Sequence, residues 1–386
     1  MKRRSIAVIT GTRAEYGLLR STLEAINSHK SLKLQVVVTG THLLKKFGFT
    51  IKDIQRDGWS ISARVSMQRG DDSPLDQAEG LARGVSGIAR YLQRAKTDIV
   101  LVLGDRIEAM AGALAGLTTG RLVAHIHGGD VAPGDFDDSL RNAITKLAHL
   151  HLTATREARQ RVIRMGESPR RAYVVGAPAL DRLAELKRSK IKDLNLQKEK
   201  TALIVQHPCG RSAALENRVM SMILRAARAA GLAITCIYPN SDRGHSGIIK
   251  AIEEHRRTNG NRFRAVRSLD QDSYLRLLME SDVLVGNSSS GIIEAAMAGT
   301  PSVDVGSRQR GREVAGPSVI HAEETPSSVH AAIKKALGMR PITVGRSVYG
   351  NGGAGRRIAE LLAAVPLDAG FRQKVHYKGR PSGGRF

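Results

Sequence analysis

Between Val123 and Leu152 the sequence VAHIHGGDVAPGDFDDSLRNAITKLAHLHL places His125, His127, Asp130, Asp135, Asp137, Asp138 and Arg141 within 17 residues. This grouping suits proton transfer, because imidazole titrates near neutrality and carboxylates can orient it or act as bases themselves. The stretch opens on an apolar strand, Val123 to Ile126. From Asp137 it turns helical, with Leu140, Ile144, Leu147 and Ala148 at i, i+4, i+7 and i+8 and Asp137 or Asp138 as the cap. Alternate strand residues share a face, so His125 and His127 are expected to point the same way, with His127 nearer the carboxyl edge and a ligand.

Other strand ends repeat the theme. SIAVIT (Ser5 to Thr10) runs into Gly11-Thr12-Arg13, LKLQVVVTG (Leu32 to Gly40) into Thr41-His42, and the apolar run DIVLVLGDR (Asp98 to Arg106) into Asp105-Arg106. ISARVSM reads as a weaker strand. In an open parallel sheet these carboxyl ends line one crevice, the usual ligand site. GTRAEYG lacks the glycine spacing of a dinucleotide fingerprint. It reads as a strand-to-helix turn that offers backbone N–H groups, Thr12 and Arg13 to an anion.

A second αβ series begins near Thr201. TALIVQHP ends in His207-Pro208, LAITCIYPNSD ends in Asn240 and Asp242, RFRAVRSL is a short strand, and DVLVG leads into NSSSG. Ser288, Ser289 and Ser290 at a helix start make a phosphate cradle. Glu294, one turn further on, suits ribose hydroxyls. Arg308, Arg310 and Arg312 could neutralise a diphosphate through their forked donors.

The elements needed to hold these residues define the fold class: α/β, with two doubly wound Rossmann-like domains facing a cleft. Residues 1–180 form the N-terminal domain, joined by a C-terminal helix over 353–366. Residues 181–200 read as a lysine-rich linker, 201–352 as the second domain and 368–386 as a basic disordered tail. Hydrophobic residues are 41% and charged residues 25% of the chain, ordinary for a globular protein. No run approaches the roughly 18 apolar residues of a membrane span, and no secretory h-region follows Met1, so the expected compartment is the cytoplasm. Two cysteines are too few for a disulfide framework or a metal knuckle, and no metal is expected. The formal charge of +24 is partly concentrated in the tail and in residues 182–200. Without zinc-finger, basic-zipper or aromatic-basic patterns, it does not make nucleic acid an expected partner. It does favour an anionic small substrate.

GTRAEYGLLR, VVTGTH, LVLGDRIEAM, HIHGGD, FDDSLRNAITKLAHLH, QHP and NSSSGIIEAAMAGTPSVDVGSRQRGRE together resemble the UDP-N-acetylglucosamine 2-epimerase family, in its hydrolysing branch. The resemblance runs from about Ser5 to Leu361. It implies a glycosyltransferase-B-like fold, a nucleotide-sugar substrate, no added cofactor and a homodimer or homotetramer. It also implies a two-step reaction. A base removes the C2 proton as UDP leaves C1, forming a 2-acetamidoglucal. Water then adds at C1 while C2 is reprotonated on the opposite face, which releases N-acetylmannosamine.

Position by position, the resemblance makes Asp105 the aspartate near the sugar, Asp137 and Asp138 the paired aspartates, and His207 the second-domain histidine. His42 becomes a histidine near the sugar. Arg13, Arg106, Asn240, Ser288, Ser289, Ser290, Glu294 and Arg312 fall on the nucleotide side, and Asp242 joins them at the end of its strand. His127 stands where some members carry a catalytic glutamate, and Asp130 replaces a glutamate of relatives. The C2 base is therefore open between Asp105 and His127. Two other readings remain: hydrolysis of UDP- or GDP-linked N,N'-diacetylbacillosamine, and a glycosyltransferase of the same fold.

Overall fold

The computed structural model describes residues 3–70, 74–131, 137–189, 199–239, 243–258, 260–267, 269–339, 342 and 347–378. One compact unit comprises Met1–Asp130, Asp137–Asp181 and Gly353–Phe386, the other Val131–Phe136 and Arg182–Gly352.

The first unit is built on seven parallel strands: β1 (Arg4–Thr10), β2 (Leu32–Thr39), β3 (Ile61–Val65), β4 (Ile99–Leu103), β5 (Leu122–Ile126), β6 (Leu150–Thr153) and β7 (Ala172–Val174). Their order is β3-β2-β1-β4-β5-β6-β7. Alternate residues serve opposite faces. Ile6, Val8, Ile99 and Leu101 enter one core, and Ala7, Ile9, Val100 and Val102 the other. Burial on both faces explains why these strands read as unbroken apolar runs. The register pairs Val8 with Leu101 and Leu103 with Ile126, so the carboxyl ends of β1, β4 and β5 finish level. The chain reverses direction across the sheet between β1 and β4, the kind of switch point at which parallel sheets bind ligands.

The second unit repeats the plan with β8 (Thr201–Val205), β9 (Ala233–Ile237), β10 (Phe263–Val266), β11 (Val283–Gly286), β12 (Ser302–Val305) and β13 (Val319–Ala322). These strands run parallel in the order β10-β9-β8-β11-β12-β13, with the reversal between β8 and β11. The chain thus has two Rossmann-like α/β units of the glycosyltransferase-B-like class.

Two segments differ from their sequence reading. Residues 181–188, expected in a linker, belong to the helix Ala179–Arg188, whose Leu180, Leu183 and Leu186 are buried. Lysine-rich composition hides that apolar spacing. Residues 368–378, expected in a disordered tail, pack on the first unit. Lys374 Nζ pairs with Glu167 (2.9 Å), and Tyr377 N–H donates to Gly166 O (2.8 Å). The helix Ala354–Ala364 returns to the first unit, burying Ile358 and Leu362 beside Leu19 and Leu23. Asp181 receives the N–H groups of Ala354 (2.8 Å) and Gly355 (2.7 Å), which caps that helix. Among the described residues, no helix is long and apolar enough to cross a membrane.

Candidate active site

The ends of β4 and β5 and the first turns of the helix Asp137–Leu147 meet through one cation. Arg141 is almost fully buried, on the helix face it shares with Ile144 and Thr145. Its guanidinium pairs with Asp105, donates to His127 O (3.2 Å) and lies 3.6 Å from Asp138 Oδ1. Burial opposes that charge, but Asp105, Asp130, Asp138 and Asp137 outweigh it and raise the guanidinium above its ordinary value. Asp137 lies in the first turn of the same helix, whereas Asp135 lies outside the described residues.

His127 takes a left-handed conformation, φ 64°, immediately beyond β5. This ends the strand alternation that put it on one face with His125. Its Nδ1 meets Asp130 Oδ2 at 2.8 Å, and both residues are largely buried. A left-handed backbone at a non-glycine residue stores strain, so the surrounding contacts must impose it. His125 is wholly buried, with Nε2 2.7 Å from Gly104 O and Nδ1 3.2 Å from Thr145 Oγ1. Burial lowers it to about 3, so it is a neutral tie between β5 and the turn that carries Asp105.

His42 is also wholly buried, with ring nitrogens 3.2 Å from Thr10 Oγ1 and 2.7 Å from Thr50 Oγ1. Burial lowers it to about 4. Arg13 opens the first helix behind its Thr12 cap and pairs with Asp53 (3.3 Å). Arg106 occupies the residue before the helix Ile107–Thr118, without a side-chain cap, and its Nε lies 3.6 Å from Glu108 Oε2.

In the second unit, the Asn287 side chain joins the ends of β8 and β11. Its Oδ1 accepts from His207 N–H (2.7 Å) and its Nδ2 donates to His207 O (2.8 Å). Burial first, and the Arg308 charge second, lower His207 to about 3. Ser290 starts a single helical turn, Ser290–Ile293, behind Ser289, and its N–H donates to Ser288 Oγ (3.3 Å). Glu294 interrupts that helix before Ala295–Ala298. Burial pushes Glu294 up to about 7 against the Ser290 hydroxyl. Arg308 Nη1 and Gln309 Nε2 both donate to Asn287 O (3.2 and 2.8 Å), which brings the SRQRGR loop to the serine turn. Arg312 lines a pocket of about 230 Å³ with Gly306, Gln309 and His321. Asn240 and Asp242 lie outside the described residues.

The structure therefore draws Asp105, His127 and Asp138 into one network in the first unit. In the second it groups His207, Ser288, Ser289 and Ser290 with Arg308. It adds Arg141, Asp130, Asn287, Glu15 and Glu108 to the residues of interest. Arg141 and Asp130 were visible in the titratable cluster. The amide of Asn287 gave no periodic signal, and Glu15 and Glu108 read as ordinary acidic residues in first helical turns.

The family described as UDP-N-acetylglucosamine 2-epimerase matches residues 24–363. The chain is 34% identical over 379 residues to a UDP-N,N'-diacetylbacillosamine 2-epimerase (hydrolyzing) of Legionella pneumophila, covering 97% of this chain and 99% of that one. It is 34% identical to a UDP-N-acetylglucosamine 2-epimerase of Neisseria meningitidis over 369 residues, 95% of each. A solved structure, a UDP-GlcNAc 2-epimerase from Neisseria meningitidis bound to UDP-GlcNAc, shares the fold, with a TM-score of 0.76 at 16% identity over 93% of this chain and 99% of that one. With its two parallel-sheet units and its charged strand ends, the chain belongs to the UDP-N-acetylglucosamine 2-epimerase family.

Proposed function

We propose that the protein is a hydrolysing 2-epimerase of a UDP-linked 2-acetamido sugar, releasing UDP and the free C2-inverted sugar through a 2-acetamidoglucal. The observation that carries this reading is the Arg141 network. It holds a carboxylate, Asp105, and a His–Asp pair, His127–Asp130, at adjacent strand ends. Inversion at C2 requires one group to remove a proton from one face and another to return a proton to the opposite face. Asp130 on Nδ1 orients the His127 ring and leaves Nε2 for proton transfer, as a carboxylate does for a catalytic imidazole. We assign removal of the C2 proton to His127 and the opposite face to Asp105. Asp138 and Arg141 keep the carboxylate in place, and buried His42 positions the ends of β1 and β2.

On the nucleotide side we assign the diphosphate to Ser288, Ser289, Ser290, Arg308 and Arg312 of the second unit, and the ribose to Glu294. Departure of UDP is the electrostatic demand of the first step, and preorganised cations and N–H donors meet it. The sugar we put first is N-acetylglucosamine, by likeness to the Neisseria relative. The N,N'-diacetylbacillosamine analogue is the second reading, by likeness to the Legionella one. We further propose a cytoplasmic homodimer or homotetramer, which light scattering of the purified chain tests.

The experiment is proton NMR with UDP-N-acetylglucosamine in D2O. UDP with free N-acetylmannosamine deuterated at C2 is the expected result. UDP-N-acetylmannosamine with the diphosphate intact would overturn hydrolysis. Turnover of the diacetamido substrate alone would select the second reading.

A further inference from the structure

The His127–Asp130 pair rides on the turn His127-Gly128-Gly129-Asp130, and two carbonyls of that turn are each held by an arginine from a later helix. Arg141, from the helix Asp137–Leu147, donates to His127 O (3.2 Å). Arg161, from the helix Arg156–Arg164, donates through Nη1 to Gly129 O (2.8 Å). Arg161 has no part in the proton transfers above.

The helix that carries Arg161 also shapes the turn by direct contact. Gly129 has φ 78°, and a Cβ there would stand 2.2 Å from Ala158 O and 2.8 Å from Val162 Cγ2. Only glycine lets the backbone come this close. Ala158, Arg161 and Val162 stand at i, i+3 and i+4, so the surface that packs on Gly129 and the donor that holds its carbonyl belong to one side of the helix. That helix is itself fixed. Thr155 Oγ1 accepts the Ala158 N–H at its start (3.0 Å), Arg159 donates to Ala172 O (2.8 Å) and Pro169 O (3.0 Å), and Lys146 Nζ donates to Met165 O just past its end (3.1 Å).

The carbonyl is also the firmer of the contacts of Arg161. Glu157, one turn earlier, stands 3.9 Å from Nε, beyond hydrogen-bond reach. The guanidinium is 24% exposed, and a charge-assisted bond partly shielded from water is a strong one. Its effect falls on His127, whose left-handed backbone must be imposed by its surroundings. The His127 N–H is tied to Leu152 O (3.1 Å) and its carbonyl to Arg141. Arg161 fixes the far half of the turn, the peptide that leads directly into Asp130. With both halves fixed, Asp130 Oδ2 keeps its 2.8 Å distance from His127 Nδ1.

We propose that Arg161 is a positioning residue that, through Gly129 O, holds Asp130 against His127 and so aims the imidazole. This rests on the functional reading above, and the test separates the two. UDP affinity, and kcat and KM for the UDP-linked sugar that the chain turns over, are measured on the full chain for wild type, Arg161→Ala and Arg161→Lys, and for Arg161→Ala combined with His127→Asn. Nitrogen-15 NMR follows the histidine rings, with His127→Asn assigning the signal. Arg161→Ala is expected to lower kcat about tenfold, with KM and UDP affinity within about threefold. Arg161→Lys, which still donates to the carbonyl, should recover most of that loss. In the His127→Asn background Arg161→Ala should change turnover by less than about twofold, because its effect passes through the imidazole. The His127 ring nitrogens should shift in Arg161→Ala toward their positions in Asp130→Asn. Unchanged kcat in Arg161→Ala, equal losses in both backgrounds, or an unmoved His127 ring signal overturns the proposal.

Should Arg161→Ala lose its fold by circular dichroism, Arg161→Gln carries the test. Its shorter amide must lower kcat in the wild-type background and not in His127→Asn, and equal losses in both overturn the proposal. Wild type that turns over no UDP-linked sugar defeats the functional reading, and the ring signal then decides the positioning role by itself.

Discussion

His127 and Asp130 meet at 2.8 Å, Nδ1 to Oδ2, across a turn in which His127 holds φ at 64°. The turn spends backbone strain to keep an imidazole and a carboxylate together at a strand end, a pattern found at functional sites. Asparagine tolerates this backbone region better than most residues. His127→Asn should therefore keep the fold while lowering turnover by about 10²–10⁴, the span of general acid–base catalysis. Asp130→Asn should lower turnover less, since it removes only the orienting charge. Steady-state UDP release, with circular dichroism as the control for folding, checks both. His127→Asn at wild-type rate would remove His127 from the chemistry.

Asp105 is held by Arg141, a side chain that comes from 36 residues later in the chain. Asp105→Asn should abolish formation of the free C2-inverted sugar while leaving UDP affinity within a few-fold. If Asp105 serves the second step, the variant will still release some UDP and accumulate the 2-acetamidoglucal, which NMR detects. Normal turnover would refute the assignment. Arg141→Met should be the more damaging to stability, by about 1–3 kcal/mol, because it removes the buried donor that ties the half-exposed Asp105 and Asp138 to His127 O. Urea unfolding measures that difference.

Buried histidines set the acid limit. His42 is lowered to about 4 and His125 to about 3, in each case chiefly by burial. The unfolded chain takes up these protons near 6.5, so each histidine contributes stability that is lost as pH falls from about 6.5 toward its folded value, at roughly 1.4 kcal/mol per pH unit. Glu15 acts in the opposite sense. Raised from 4.5 to about 8, it binds its proton more tightly when folded, and stability falls as pH rises through that interval. Relative to wild type, Glu15→Gln should gain stability to urea as pH rises from about 5 to 8. A difference between the two proteins that does not change with pH would show that Glu15 is not raised.

Glu167 is one anchor of the C-terminal segment, beside Arg171, which donates to Gly370 O and Gln373 O. Glu167 meets Lys146 (2.6 Å), His151 (3.0 Å) and Lys374 (2.9 Å), and Lys374 also donates to the carbonyls of Lys146 and Ala148. Burial raises Glu167, but hydrogen bonds from His151, Lys146 and Lys374 outweigh it and bring the carboxyl to about 2. This contribution is present above about 4.5 and lost as pH falls toward 2. Lys374→Ala should cost about 1–3 kcal/mol and release the segment. The amide of Tyr377, bonded to Gly166 O, should then exchange faster. Unchanged exchange would mean that other contacts hold the segment.

Much of this was legible in the chain itself. Apolar runs such as IVLVL declare strands buried on both faces, and polar residues just beyond them mark the carboxyl ends where a parallel sheet binds ligands. The family motifs name the reaction class because they keep residue types in order along the chain. What the sequence could not supply is pairing across distance. Nothing local joins Asp105 to Arg141, Asn287 to His207, or Arg161 to Gly129, because each contact depends on strand order and level strand ends. Composition also misled where a few buried positions decide the outcome. Leu180, Leu183 and Leu186 make a helix inside a lysine-rich stretch, and Lys374 finds a buried carboxylate from a segment that reads as a solvated tail. Sequence thus determined which chemical groups stand at the strand ends, while tertiary structure decided which of them touch, since burial converts a neighbour into a partner by removing the water that would otherwise screen it.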